Sequence, residues 1–558
     1  MSNNTTDYDV IVCGGGPSGN MAAISAGRAG AKTLVIEKYG FIGGMATSGW
    51  LGPISPMHFG DERVIDGIPA EFVDRMRLAG GSTGHLRCTN PHGSGAYLGF
   101  YDREHYKWTA IQMLQEAGVD ILFHSFVSDV QLEGDTITGV EVTNKSGKRV
   151  YTSKVVVDAT GDGDVAALAG AEHTVGNDEG VSQPGTLMFD MANVDTEKLK
   201  AYMDSHLDNF EWASEMVAVQ PFSDRLQQKH FVGQGFLDVV GDALRTGDLY
   251  LGRDSILFLT TTHPGLVHFN STRVAGVDGR SAESLTAGEI DARKQVMSVS
   301  EFIIKNIPGF EDAYLAGTGT QIGIRESRHI LGEYVITGED VLYGRKFDDV
   351  IARGYFPIDI HNLKGKEGYA GGGVWTDPED SYDIPMRTLI PRRINGLVMA
   401  GRAISATHEA HGSLRTQGGA MGIGHAAGAL ASQSALRGEQ PREVPYAAVE
   451  KVLLGQNASL RRDPEKVERE KEAAAAANEA ALADGLMVPW PDPHPACERH
   501  GIIRRRANRR HVTDDPGAHT CTYTLSGVRT DGSPAGRRAF RRAVARSTTG
   551  RGAVGSGR

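Results

Sequence analysis

An α/β fold is what this sequence predicts: a three-layer domain built on a parallel sheet, with a mixed α+β domain inserted into it. Three observations carry the prediction. Residues 8–38 pass from a continuous apolar run to a helical period and back to an apolar run, as a β–α–β unit does. From Thr174 to Asn395 the patterning changes to mixed strands and helices. Gly396–Ala400 then returns to a short apolar strand, so the first domain is completed late. The division that follows is 1–173 and 396–460 for the first domain, 174–395 for the inserted one, 461–488 for a C-terminal helix and 489–558 for a tail.

The elements follow in order. Tyr8–Cys13 is the first strand, a glycine loop comes next, a helix runs from Ser18 to Gly30, and Thr33–Ile36 is the second strand. A helix is expected over Arg103–Ala117, a strand over Asp120–Phe123, a hairpin-like stretch through Val130–Val142 and a strand over Lys154–Asp158. Within the insertion, Ala282–Lys305 is amphipathic and apolar runs surround Ile322 and Val335. Gly418–Ser434 is rich in Gly and Ala and predicts a closely packed helix. Asp463-Pro464-Glu465 is a helix start with a cap and an early proline, and its Glu/Lys/Ala run ends at Gly485. The Arg-rich, Lys-free tail beyond Pro489 predicts disorder from composition.

Composition excludes several functions. The chain has 558 residues, 40% of them hydrophobic, and no apolar stretch approaches the ~20 residues of a membrane span. Its cysteines, Cys13, Cys88, Cys497 and Cys521, form no C-x-x-C pair, which argues against a disulfide framework, a zinc or iron–sulfur site and a redox dithiol. No metal-ligating set is predicted. The net charge is −11; residues 501–558 hold 13 Arg against 3 Asp, +10, so the rest carries −21. An acidic body argues against nucleic acid as the partner. The polar start Met1–Asp7 leads straight into a strand, so a cytoplasmic location is expected.

The loop Gly14-Gly15-Gly16-Pro17-Ser18-Gly19 fits G-x-G-x-x-G after a strand and before a helix, the mark of a Rossmann-like dinucleotide domain. The first Gly permits the turn, the second lets a pyrophosphate approach the backbone, and the third lets the helix pack on the strand. Glu37, ending the second strand, can accept from both ribose hydroxyls and would repel a 2′-phosphate, which leaves NAD or FAD. Three further segments favour FAD. Gly43–Gly49 follows the ribose-binding strand, Val157–Gly163 ends a strand in small residues, and Gly396–Arg402 ends one in glycine ahead of the helix start at Gly418-Gly419. A helix N-terminus there places roughly half a positive charge beside the ring.

On these segments, with Asn270–Asp278, Gly323–His329, Tyr355–His361 and Gly401–Ala410, the chain resembles the FAD-dependent oxidoreductases of the glutathione-reductase-2 structural group. It is similar in particular to the family related to heterodisulfide reductase flavoprotein subunits, without their cluster cysteines; the likeness covers residues 7–460. The resemblance implies FAD contacts from Gly14, Gly16, Pro17, Ser18 and Gly19, and from Glu37 and Lys38. It adds Gly43, Gly44, Met45 and Thr47, then Val127 through its backbone to adenine, and Ala159, Thr160 and Gly161. Gly401, Arg402 and the turn Gly418, Gly419, Ala420 and Met421 complete the set. The chain departs from the family at Ala403, where a Cys is common, at His411, where a Leu is common, and at Thr416–Gly419.

Candidate chemistry centres on His408 and His411, three apart, with Arg415 four further on. A His can take a hydroxyl proton while hydride leaves for the flavin, and an Arg can hold an alkoxide or carboxylate. Arg325 and Glu326 follow an apolar strand, His361 follows Tyr355–Ile360, and Arg273 is expected to pair with Asp278. The function expected is dehydrogenation of a small organic substrate at a CH–OH or CH–CH bond, with hydride to flavin N5 and electrons onward to oxygen, a quinone or a protein. The alternative is a redox-neutral flavin-dependent lyase, hydratase or isomerase. A homo-oligomer is left open.

Overall fold

The computed structural model describes residues 6–55, 57–60, 62–88, 97–217, 230–361 and 373–466, with 468, 469 and 472. The tail expected from 489 onward, and nearly all of the helix expected over 461–488, lie outside the described residues.

The elements that frame the site begin with β1 (Thr6–Cys13), α1 (Pro17–Arg28) and β2 (Thr33–Ile36). Next come α2 (Ile68–Leu78), β3 (Ser82–Cys88), β4 (Tyr97–Tyr101), α3 (Arg103–Glu116), β5 (Asp120–Leu122), β6 (Phe126–Glu133), β7 (Thr136–Asn144) and β8 (Gly147–Asp158). A second group holds β9 (Phe189–Ala192), β10 (Phe210–Val217), β11 (Phe231–Gly235), β12 (Ile256–Thr260), β13 (Val267–Phe269), α4 (Ala282–Asn306) and β14 (Tyr314–Thr318). The last are β15 (Ile358–Ile360), β16 (Leu397–Met399), α5 (His408–Leu414) and α6 (Gln417–Arg437).

The first sheet has the order β5-β2-β1-β8-β7-β6, with β16 also paired to β8. Its centre, β5-β2-β1-β8-β16, is parallel, and β8-β7-β6 is an antiparallel meander. Long β8 serves both: its first half pairs with β7 and its last three residues with β16. Val10, Ile11 and Val12 are fully buried, as a central parallel strand covered on both faces requires. This is the Rossmann-like α/β domain that the sequence predicts.

Helix α6 is apolar all round and buried along nearly its whole length. It crosses α1 at backbone contact: a Cβ on Gly424 would lie 2.0 Å from Ser18 O, and one on Gly428 2.1 Å from Ala22 O. The Gly/Ala composition of this helix is therefore a packing requirement. It brings the N-termini of α1 and α6 to one place.

The second sheet is antiparallel, in the order β14-β9-β13-β12-β11-β10-β3-β4. Strands β3 and β4 come from residues 82–101, ahead of much of the first sheet, and join through Met216 paired with Cys88. No hydrophobic period in the sequence signals that pairing, because the partner strand is more than a hundred residues away. A second apolar core, with Phe189, Phe258 and Phe269, lies between this sheet and α4, distinct from the core around β1 and α6. Asp278 pairs with Arg280, not with Arg273 as expected; the local turn brings Arg280 Nε to 2.8 Å, while Arg273 is drawn to His361.

Candidate active site

The parallel strands end together. Cys13 stands beside Ile36 and Asp158, and Asp158 beside Met399. From β1 the chain goes to β2 on one side while β8 lies on the other, so these ends form the switch point at which open α/β sheets bind ligands. A cavity of about 510 Å³ opens there and continues to the face of the second sheet.

Glycines of the first loop serve it in two ways. Gly14 has φ +101°, and a Cβ there would lie 2.5 Å from Ala159 O; a Cβ on Gly19 would lie 1.8 Å from Gly14 O. Both lock α1 onto the strands. Gly16 does neither: its φ is −67°, and the nearest atom to an added Cβ is Gly44 Cα at 3.9 Å. Its missing side chain leaves room for whatever fills the cavity, as the close approach of a pyrophosphate needs. Pro17, Ser18, Gly44 and Met45 border the same space.

Glu37 ends β2 buried at the wall, its Oε2 accepting from Gly15 N (2.8 Å) and its Oε1 from Tyr39 N (2.9 Å). Burial raises its carboxyl above the usual value, against those donors. Lys38 and Val127 lie at this end. Opposite, Asp158 is fully buried and pushed up to about 6 by desolvation, although Thr160 N, Thr160 Oγ1 and Ala166 N all donate to it. Those bonds fix the turn that carries Ala159, Thr160 and Gly161 to the cavity. Gly401 and Arg402 follow β16, Arg402 pairing with Asp162 at 2.6 Å. Thr416 caps α6 without a side-chain hydrogen bond, and Gln417 and Ala420 of its first turn reach the wall.

Several buried polar atoms on this wall have no partner: Ser18 Oγ, Asn270 Oδ1, Arg402 Nε, Arg415 Nε and Gln417 Oε1. Folded proteins pair nearly all such atoms, so the wall is built for a polar ligand. Six residues expected at the cofactor do not border the cavity: Gly19, Gly43, Thr47, Gly418, Gly419 and Met421. Thr47 Oγ1 donates to Ile42 O, a Cβ on Gly43 would strike Thr47, a Cβ on Gly419 would lie 2.8 Å from Leu414 O, and Met421 is core. They shape the wall from behind.

Among the residues expected to do chemistry, Arg325, His361 and Arg415 line the cavity and His408 and His411 do not. Arg325 Nη1 donates to Pro184 O (2.7 Å) and Thr186 Oγ1 (2.6 Å), and Arg415 Nη2 to Asp359 Oδ2 (2.9 Å). Arg273 Nη2 lies 3.1 Å from His361 Nδ1. A guanidinium can only donate, so Nδ1 accepts and the ring carries its hydrogen on Nε2. Burial, with the charges of Arg325, Arg273, Arg415 and Arg253, holds His361 well below its usual value. It is a neutral hydrogen-bond donor, and Arg273 occupies the ring nitrogen that could otherwise act as a base. Asp359 and Gln417, not singled out from the sequence, complete this wall; Asp359 Oδ2 is 3.6 Å from His361 Nε2.

His408 and His411 turn away, into a buried hub. Glu326 Oε1 receives His408 Nδ1 at 2.7 Å and His329 Nε2 at 2.9 Å, with His411 Nδ1 at 3.8 Å, and Oε2 accepts from Gln183 N. Burial opposes the charge on Glu326, but the hydrogen bonds from His329 and His408 hold its carboxyl well below the carboxylate range. His408 is raised, the Glu326 contact outweighing burial; His411 is pushed well below its usual value by burial. One oxygen of Glu326 and one ring nitrogen each of His329 and His411 lie within 4.8 Å of one another. The expected proton transfer from substrate to His408 or His411 is corrected on this geometry: neither ring reaches the cavity.

Residues 9–453 match the family described as FAD dependent oxidoreductase. The chain belongs to that family. FAD is accordingly its cofactor, and the open Gly16, the buried Glu37 and the unpartnered donors near both helix N-termini suit a dinucleotide. Over 165 residues the chain is 28% identical to digeranylgeranylglycerophospholipid reductase 1 of Methanococcoides burtonii, which is 28% of this chain and 38% of that one. A geranylgeranyl bacteriochlorophyll reductase-like protein from Thermoplasma acidophilum aligns with 86% of this chain and 90% of its own, at 13% identity and a TM-score of 0.43. L-proline dehydrogenase from P. horikoshii aligns with 82% and 100%, at 12% identity and a TM-score of 0.37. Likenesses this loose bear on neither substrate nor reaction. Among the described residues no helix is long and apolar enough to cross a membrane.

Proposed function

We propose that this FAD-dependent oxidoreductase dehydrogenates a small organic substrate at a CH–OH or CH–CH bond. The observation that carries the reading is the second half of the cavity, where Arg325, Arg415 and the Nε2–H of His361 stand on one wall with Asp359 among them. Bound FAD would supply a hydride acceptor at N5, with oxygen, a quinone or a protein as the onward electron acceptor. The chain's own groups do the rest. Arg325 and Arg415 orient a substrate oxygen, His361 Nε2–H donates to it, and Asp359 is the acceptor for the proton that leaves. The sequence resemblance to the glutathione-reductase-2 group supports the same reading.

The test is anaerobic mixing of the FAD-loaded protein with alcohols, sugars and hydroxy acids. Loss of the oxidised-flavin absorbance with one equivalent of dehydrogenated product is the expected result. A compound that is converted with the flavin spectrum restored at every turnover and no net oxidation would overturn it in favour of a lyase, hydratase or isomerase.

A further inference from the structure

We propose that the molecule taken by this cavity is an organic carboxylate with an apolar body, its head held by Arg325 and Arg415 and its hydrocarbon part laid against one face of the second sheet. The inference rests on reading this half of the cavity as the substrate site.

The head end is a set of fixed donors. Arg325 is held by the neutral oxygens of Pro184 and Thr186, Arg415 by Asp359, and His361 presents Nε2–H because Arg273 occupies its Nδ1. Arg415 Nε is buried on the wall with no partner. Glu211 feels the charges of Arg253 and Asp254, and Asp359 is the carboxylate paired with Arg415. Guanidinium groups donate and never accept, and their planar forks match a carboxylate. An ammonium group would meet positive charge, and a neutral hydroxyl would offer a guanidinium fork one oxygen in place of two.

The body end follows from strand register. Val232 of β11 pairs with Leu259 of β12, and Gln234 with Leu257. Side chains alternate along a strand, so Leu257 and Leu259 face the cavity while Ile256 and Phe258 enter the second core. With Leu98 of β4, Val232, Leu257 and Leu259 line one stretch of the cavity, broken by Gln234; Leu98 and Leu257 are its half-buried members, packed on a small cluster of Leu86, Phe100, Val232 and Leu259. An aliphatic surface kept open to a cavity is stabilised by an apolar ligand that covers it.

Calorimetric titration of the FAD-loaded protein with hexanoate, acetate, hexanol, hexylammonium and hexylphosphonate reads binding without turnover. Hexanoate is expected to bind at least tenfold more tightly than acetate and hexanol, and hexylammonium not at all. Arg415→Gln and Arg325→Gln should each weaken hexanoate by roughly 10- to 100-fold; Leu257→Ser should weaken hexanoate and leave acetate unchanged. If either glutamine variant loses FAD, Arg→Lys at that site carries the same test, and Leu98→Ser stands in for Leu257→Ser. Hexanol equal to hexanoate would overturn the anionic head, acetate equal to hexanoate the apolar body, and hexylphosphonate tighter than hexanoate the carboxylate. Should hexanoate bind as expected while no carboxylic acid bleaches the flavin, dehydrogenation fails and the ligand class stands; bleaching by neutral alcohols with no preference for anions is the reverse.

Discussion

Two clusters in this protein are cut from the same two stretches of chain and do opposite things. Residues 325–329 and 408–415 supply both the hub around Glu326 and the wall around Asp359. Arg325 faces the cavity and Glu326, its neighbour, faces the hub; His408 and His411 enter the hub while Arg415 returns to the cavity. Both hold charged and imidazole groups at hydrogen-bond distance. What separates them is access. The hub is closed and its groups are gathered on Glu326, whereas the wall opens on the cavity, where a ligand can reach its unpartnered polar atoms. The hub should therefore answer to stability measurements and the wall to binding and turnover.

The strongest way to break that comparison is Glu326→Ala. It strands His329 and His408 in a buried site, and loss of one partner of a buried charged set costs about 3–5 kcal/mol. The urea midpoint should fall steeply; a shift worth under ~1 kcal/mol would mean the hub is not structural. Next is Arg415→Gln, which should lower kcat/KM by roughly 10- to 100-fold, the loss of a hydrogen bond to a charged group, with a smaller fall in the urea midpoint than Glu326→Ala because Asp359 loses its ion-pair partner at the cavity wall. An equal fall in stability would place Arg415 with the hub.

Gly16→Ala and Gly19→Ala sharpen the same contrast inside the cofactor half. An alanine at 16 meets only the cavity and should weaken FAD by about tenfold or more, ~1.4 kcal/mol, while the apoprotein melts normally. An alanine at 19 meets Gly14 O and should lower the melting temperature of the apoprotein itself. Equal behaviour of the two would contradict the division between a ligand-facing and a packing glycine.

The smallest effect is one of pH. Glu326 is held below its usual 4.5, so its contribution is present above pH 4.5 and is lost as pH falls toward its folded value. His408 is raised above its usual 6.5, so its contribution is present below pH 6.5 and is lost as pH rises through the raised value. The melting-temperature difference between the protein and His408→Gln should be greatest between pH 4.5 and 6.5 and shrink on either side. A difference that grows above pH 7 would reverse the sign assigned to His408.

The sequence alone determined the β–α–β start, the late strand at 397–399, the glycine-packed α6, and FAD, because each is written in neighbouring residues: a period, a glycine spacing, an acid at a strand end. Where glycine spacing itself sets the role, as at Gly14 and Gly19, which pack the helix on the strands, and Gly16, which borders the cavity, the residue and its role are legible together. Tertiary structure decided the rest. Nothing within residues 408–415 says that the two histidines turn inward and the arginine outward, since that depends on where Glu326 and Asp359 arrive from distant strands. Nor does residue type tell that His361 is a donor; only the approach of Arg273, 88 residues earlier, fixes its hydrogen on Nε2. Side-chain sites are assembled across the chain, and their chemistry is set by partners that no local pattern can name.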